Sequence, residues 1–425
     1  MRRPVDIVAG GGAVPQTNGP GSDALCPETG QPRTILLERK TAARKNTRSG
    51  PHVSHRMAER RNGGALQAFA SDAVPYIAAA SWALSLFLHI PGQPWTLYSD
   101  VASFWFREEH LRLGRMPCID YFFEYPPVAC YLVHVSRLIG GPDVLPYYFA
   151  FGIISLTAYA LLAFSASKLC GRSRYVPAIV LLSPSLVVYG IYNFDHFFAA
   201  ILGVSLLLFM RGKRTEGSAV LGFATAVKLM SVLLLPIYLI EARGERLRAF
   251  AAFAAGAIVP SLPVLMLNPG WIAEFVRYHS GWGLENAWYV WIFGDPFSTT
   301  AKVFGIALFV PLLLRSYSLR SGVAEKGALA IGSWLFTSYV FTPQMAIWML
   351  PFVAMLPQTL VLWPVFEVSN VYIILTWFTT DKPTHPWTLP QAMALIRAVA
   401  LAGMLFAVYR GFGKGSRGEV LSGKA

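Results

Sequence analysis

Residues 98–127 read YSDVASFWFREEHLRLGRMPCIDYFFEYPP. This is the longest mixed polar and aromatic stretch between hydrophobic segments. It carries Asp100, Asp120 and Glu124 beside Arg107, His110, Arg112 and Arg115. It lies between hydrophobic segments and reads as a reactive carboxylate loop held against one membrane face. Residues 100–114 have a helical pattern, with Asp100, Arg107 and Gly114 near one face and Phe104, Trp105 and Leu111 on another. That pattern suits a helix lying in the interface plane. Pro126 and Pro127 disfavour helix just before them. Residues 128–140 are apolar but short for a crossing, and are expected to form a second juxtamembrane helix.

The rest of the chain fits this frame. Its 425 residues are 54% hydrophobic and only 14% charged, and the mean hydropathy is +0.46. A soluble domain carries about a quarter charged residues. The expected fold is all-α, a polytopic transmembrane helical bundle of about 10–12 spans with extracytoplasmic juxtamembrane helices. The formal charge of +13 does not call for nucleic acid, because Lys and Arg sit in short clusters flanking apolar runs, as the positive-inside rule requires. Residues 1–66 are rich in Gly, Pro, Ser, Thr, Arg and Lys and nearly lack aromatics. They are expected to be a disordered basic cytoplasmic tail, unable to bury enough apolar surface to offset ordering entropy. A membrane domain over 67–412 and a short cytoplasmic tail over 413–425 complete the expected organisation.

Threading the basic clusters to one side sets an orientation. The first span, at about 72–90, leaves its C-terminal end outside. The spans that follow place YNFDHFF, with Asp195 and His196, outside, and place Lys168, Arg172, Arg174, Arg211, Lys213 and Arg214 inside. Residues 268–296 form a second outer loop with Arg277, His279, Glu285 and Asp295. FTPQ at 341–344 and TTDKPTHPW at 379–387 are further outer connections. The segment 218–240 is long enough for one crossing, yet basic clusters flank both of its ends. A broken hairpin with Lys228 near its tip is favoured over a single crossing. Non-helical backbone at that depth is tolerated only where protein buries it or it lines a cavity.

The candidate chemistry follows from these placements. Asp100 is the expected general base, taking a proton from an attacking sugar hydroxyl; its alternative is an ordinary exposed acid or a helix N-cap. Asp120 and Glu124 are candidates for acceptor or donor sugar, with solvent or a divalent ion as alternatives. Asp195, His196 and Gln344 join them as sugar-binding candidates, each with a capping or helix-start alternative. Lys228 lies in the apolar run TAVKLMSVLLLP. A charge there costs about 2.5–3.5 kcal/mol on insertion scales, so it should have a partner. Donor phosphate is expected on Lys228, Arg107, Arg115, Arg277 and His279. The chain has no phosphate-loop, dinucleotide or zinc-protease motif. No metal or other cofactor is indicated. Cys118 and Cys130 both fall on the outer side, which leaves a bridge between them open.

YSD after the first span, then LGRMPCIDYFFEYPP, resembles membrane glycosyltransferases of the GT-C class. The nearer likeness is to polyprenol-phosphate-mannose-dependent alpha-mannosyltransferases, among them the first mannosyltransferase of GPI-anchor synthesis. NFDHFF, GFATAVKLMSVLLLP, FVRYHSGWGLEN and VFTPQMAIWMLP extend the likeness over about residues 72–410. The resemblance implies a lipid-phosphate sugar donor, usually inversion, and a catalytic acid at Asp100. It also implies the acidic pair Asp120 and Glu124 before YPP, and the lysine of the A-x-K segment at Lys228. One position departs: related proteins often have Arg where Trp282 stands, which leaves Arg277 as a substitute. The expected function is an inverting glycosyltransferase moving a sugar, mannose by the resemblance, from a polyprenyl phosphate to an extracytoplasmic acceptor such as a glycolipid, glycan or protein. The expected location is the cell membrane, multi-pass, with the site outside and the N-terminus cytoplasmic. The alternative from another class is a multi-span lipid or solute transporter or flippase.

Overall fold

A computed structural model describes residues 72–422 except 172 and 174, with backbone alone over 412–422. The expected tail at 1–66, and Arg172 and Arg174 of the inner cluster, lie outside the described residues. The described chain is all-α. Among the described residues, four helices are long and apolar enough to cross a membrane: Val144–Leu169, Arg243–Leu267, Thr299–Ser318 and Leu389–Gly411. Several shorter apolar helices accompany them, and the protein is read as a membrane protein.

Helix α1 (Val74–Leu88) ends where the quoted stretch begins. The stretch folds as α2 (Asp100–Arg107) and α3 (Glu109–Arg112). The single helix expected over 100–114 is thus broken, because Glu108 takes an extended conformation (φ −102°, ψ 95°). The face assignment survives the break: Phe104, Trp105 and Leu111 are buried. Helix α4 (Pro127–Gly140) starts at Pro127, whose fixed φ suits a first helical turn. Arg137 near its far end donates to the Arg112 carbonyl at 2.8 Å, so both ends of α4 stay beside the quoted stretch. It lies across the end of the bundle.

The longer helices then shuttle away from this end and back. Helix α5 (Val144–Leu169) leaves it. The return through 175–192 is not continuous but splits into α6 (Val176–Leu181) and α7 (Pro184–Tyr189), since Pro184 has no N–H to continue α6. Helix α8 (Asp195–Met210) leaves again and α9 (Arg214–Val227) climbs back. At Lys228 the backbone becomes extended (φ −148°, ψ 126°). The chain reverses into a 3-10 turn at Leu229–Leu234 and α10 (Leu235–Glu241). Ser231 Oγ lies 2.7 Å from Thr225 Oγ1, and Tyr238 OH lies 2.9 Å from Ser205 Oγ deep in α8. The segment 218–240 therefore runs up and back, with Lys228 at the turn.

Helix α11 (Arg246–Leu267) packs along α9 at two glycines. A Cβ on Gly222 would strike the Phe253 carbonyl, and one on Gly256 would strike the Ala219 carbonyl. Small residues let helix backbones approach closely where lipid supplies no hydrophobic drive. Helices α12 (Trp271–Ser280) and α13 (Val290–Phe293) form the second polar loop. Helix α14 (Thr299–Ser318) and α15 (Val323–Thr337) follow. The run expected as a span over 345–357 is a 3-10 turn, Pro343–Met349, joined to the short α16 (Leu350–Met355), buried among neighbours rather than facing lipid. Helices α17 (Trp363–Trp377) and α18 (Leu389–Ser422) close the chain. Helix α18 runs on as far as Ser422.

Candidate active site

Two cavities adjoin at the end of the bundle where the polar loops meet. The first, about 290 Å³, is lined by Asp100, Arg107, Glu124, Glu285 and several aromatic rings, including Tyr98, Tyr192 and Trp377. The second, about 250 Å³, is mostly apolar and is lined by Lys228, Leu229, Met230, His279 and Trp348 among others. Glu124, Tyr125, Trp282, Thr342 and Gln344 line both and form the shared wall.

Asp100 opens α2, behind Ser99, whose hydroxyl accepts from the Ala102 N–H at 3.2 Å. That cap fixes the first turn and with it the carboxylate. Tyr125 OH donates to Asp100 Oδ2 at 2.9 Å and Asn193 Nδ2 donates to the same oxygen at 3.2 Å. Both bonds fall on Oδ2, so Oδ1 stays free for a ligand hydroxyl. Burial raises the Asp100 carboxyl above its ordinary range, opposed by the Tyr125 and Asn193 hydrogen bonds and by Lys228. A raised carboxyl is a stronger base once ionised. Tyr125→Phe removes a donor that favours the ionised form. The rising limb of the pH–rate profile should then move up by about one to two pH units, a charge-assisted hydrogen bond being worth about 1.5–3 kcal/mol. An unmoved limb would remove Tyr125 from the control of Asp100.

Lys228 Nζ lies 3.3 Å from Asp195 Oδ1 and 4.8 Å from the Tyr125 ring centre. Asp195 is fully buried and its Oδ1 also accepts from Trp348 Nε1 at 2.5 Å. It starts α8, where the helix dipole favours an anion. The partner that a charge in an apolar run requires is therefore Asp195. Glu124 pairs with Arg107 at 2.5 Å, and Arg107 also holds Glu108 at 2.9 Å. His279 donates Nδ1–H to the Phe275 carbonyl at 2.8 Å and burial lowers its pKa. It sits in the second cavity as a neutral ring with Nε2 free to accept.

Several candidates stand apart. Asp120 is exposed and closes a turn, accepting from the Met116 N–H at 2.6 Å. Arg115 is exposed and lines neither cavity. Arg277 pairs with Glu274 on the open surface of α12 at 3.8 Å and lines neither cavity. Trp282 lies against His279, with ring centres 5.1 Å apart and the rings tilted. His196 is buried against Phe151, Tyr159 and Phe197 and lines neither cavity. Asp195 touches the second cavity only through Lys228 and Trp348.

Four elements had no role assigned from the sequence. Tyr125 and Asn193 carry no signal beyond their nearness to acids. Glu285 was placed in an outer loop without a role. Its backbone pairs with the strand-like 339–341 segment: Glu285 N–H donates to Tyr339 O and Phe341 N–H to Glu285 O, both at 2.8 Å. Burial and the nearby Asp100 raise its carboxyl to about 7. The fourth is Arg397, fully buried on α18. It donates to Asn370 Oδ1 at 2.7 Å, to Phe341 O at 2.6 Å and to Asn286 O at 3.3 Å, and so ties both site loops to the helices. A lone cation inside PQAMALIRAVALAGM was its signal, by the same logic that flagged Lys228.

Cys118 and Cys130 form a disulfide, with Cα atoms 6.1 Å apart. It closes the loop that carries Glu124 and Tyr125. Replacing both with Ser should cost about 3 kcal/mol by the chain-entropy estimate for a loop of this length, read as a lower thermal unfolding midpoint in detergent. An unchanged midpoint would mean that the loop is held by its packing alone.

No curated protein matches the chain. A family model described as Glycosyltransferase family 87 matches residues 122–300. The matched stretch holds Glu124, Tyr125, Asn193, Asp195, Lys228, His279 and Glu285, while Asp100 and Gln344 lie outside it. Over that stretch, less than half of the chain, the protein is similar to this family, and the match together with the apolar helices supports a membrane glycosyltransferase.

Proposed function

We propose that the protein transfers a sugar from a polyprenyl phosphate to an extracytoplasmic acceptor, with inversion and with Asp100 as general base. The observation that carries this reading is Tyr125. Its hydroxyl bonds Asp100 in one cavity, and its ring meets the Lys228 ammonium in the other. A base and a largely enclosed cation thus meet the same side chain, the base at its hydroxyl and the cation at its ring. The apolar second cavity suits the first isoprene units, with Lys228 beside the phosphate. The first cavity suits a hydroxylated acceptor.

In the step, an acceptor hydroxyl loses its proton to Asp100 Oδ1 and its oxygen bonds the anomeric carbon. The bond from that carbon to phosphate oxygen breaks on the far side, and polyprenyl phosphate leaves with the electron pair. Opposed attack and departure give inversion. Arg107 acts mainly by holding Glu124 rather than the phosphate. The mechanism draws on side chains alone and asks for no divalent ion. The resemblance favours mannose as the sugar.

The test is transfer from radiolabelled polyprenyl-phosphate mannose in membranes containing the protein, with product linkage read by glycosidase digestion. Opposite anomeric configuration in donor and product supports the proposal. Movement of the lipid between leaflets without bond cleavage would make the protein a transporter instead.

A further inference from the structure

The first cavity has a wall that the proposed chemistry does not use. Asn286 Nδ2, Thr342 Oγ1 and Gln344 Oε1 are buried polar atoms with no hydrogen-bond partner. Their residues are only 2%, 8% and 7% exposed, and all three line that cavity. Buried polar groups are normally paired, so three orphans in one cavity point to an absent ligand. One is a donor, one donates or accepts, and one accepts. A run of ring hydroxyls satisfies such a set.

The wall is also rigid. Asn286 sits at φ 56°, a left-handed conformation that Asn tolerates better than most residues. The backbone pairing of Glu285 with Tyr339 and Phe341 and the Arg397 bonds to Asn286 O and Phe341 O hold both loop segments in register. Three carboxylates line the same cavity: Asp100, Glu124 and Glu285. Its lining cation, Arg107, is already taken up by Glu108 and Glu124. Glu285 has no ion-pair partner among the described residues.

We infer that Asn286, Thr342 and Gln344 form a hydroxyl-reading subsite for an uncharged sugar ring, and that the carboxylates around it exclude acidic sugars. The inference rests on the transferase reading for the name acceptor, but the subsite binds a sugar whether or not a bond is made. An anionic ring would meet the carboxylates of Asp100 and Glu285, neither in an ion pair among the described residues, while Arg107 is already held by Glu124 and Glu108. A neutral ring meets hydroxyl partners and aromatic faces.

The experiment measures binding directly. The full chain in lipid nanodiscs, free of sugar detergents, is titrated with methyl glycosides of mannose, glucose and galactose and with the matching methyl uronosides. Tryptophan fluorescence reports the cavity through Trp282 and Trp377. The expected result at pH 8 is saturable binding of at least one neutral glycoside and at least 10-fold weaker binding of its uronic acid. Asn286→Ala and Thr342→Val should each weaken the neutral glycoside several-fold. Glu285→Gln should bring the uronoside to within about threefold of it, which loss of folding would not do. Equal binding of acid and neutral forms, or no binding of any neutral glycoside, overturns the inference. Binding without transfer in the labelled-donor assay would retire the enzyme reading and leave the subsite standing.

Discussion

Asp100→Asn should lower transfer by about 100- to 10,000-fold, the usual contribution of a positioned general base, and should raise the thermal unfolding midpoint. The two effects have one cause. Burial raises the Asp100 carboxyl, so the folded protein binds this proton more tightly than the unfolded chain does. Its stabilising share is then full below the unfolded pKa and is lost as pH rises through the folded one. Near neutral pH, above the unfolded pKa, this carboxyl opposes folding, and a neutral amide of the same shape does not. The Asn carbonyl can still accept from Tyr125 and Asn193, which keeps the local geometry. Activity lost with stability gained is the signature of a site held in a costly state for chemistry. Initial rates with labelled donor and a thermal scan on the same preparation check it. A variant at full rate would remove Asp100 from the mechanism.

Lys228→Met should cost about 3–5 kcal/mol of stability, because it strands the buried Asp195 without its cation. Methionine itself suits the apolar surroundings, so the loss comes from the partner left behind. Lys228→Met combined with Asp195→Asn should recover most of the stability, since the Asn carbonyl still accepts from Trp348. Activity should not recover with it. A lysine that served only as a counter-ion would let the double variant work again, whereas one that also holds a phosphate would not. Unfolding midpoints and donor KM across the four combinations separate these outcomes.

Periodicity and charge alone revealed a good deal. The apolar runs imposed an all-helical bundle, because lipid leaves every backbone polar group to be satisfied within its own helix. Pro127 marked a helix start, whereas Pro184 broke a span expected to be continuous. The clash of two basic clusters around 218–240 located the reversal at Lys228. Asp100, Glu124, Lys228, His279 and Gln344 line the cavities that the loops enclose, and they were visible as polar residues beside or inside apolar runs.

Other features had no local signature. Nothing near Asp120 separates it from Glu124, yet one closes a turn and the other faces both cavities. Residues four apart between a disulfide and two prolines can point anywhere until the loop is packed. Lys228 and Asp195 are 33 positions apart, Asp100 and Asn193 are 93 apart, and Arg397 and Asn286 are 111 apart. Such pairs form only when helices far apart in the chain return to one end of the bundle.

The amino-acid order determined the fold class, the helix boundaries set by proline, and the identity of most chemically able groups, because these depend on hydropathy and backbone sterics over a few residues. Tertiary packing alone decided which of those groups share a cavity and which oxygen of Asp100 stays free. It also decided that Glu285, Asn286 and Thr342 belong beside it, since burial and hydrogen-bond partners are supplied by distant segments.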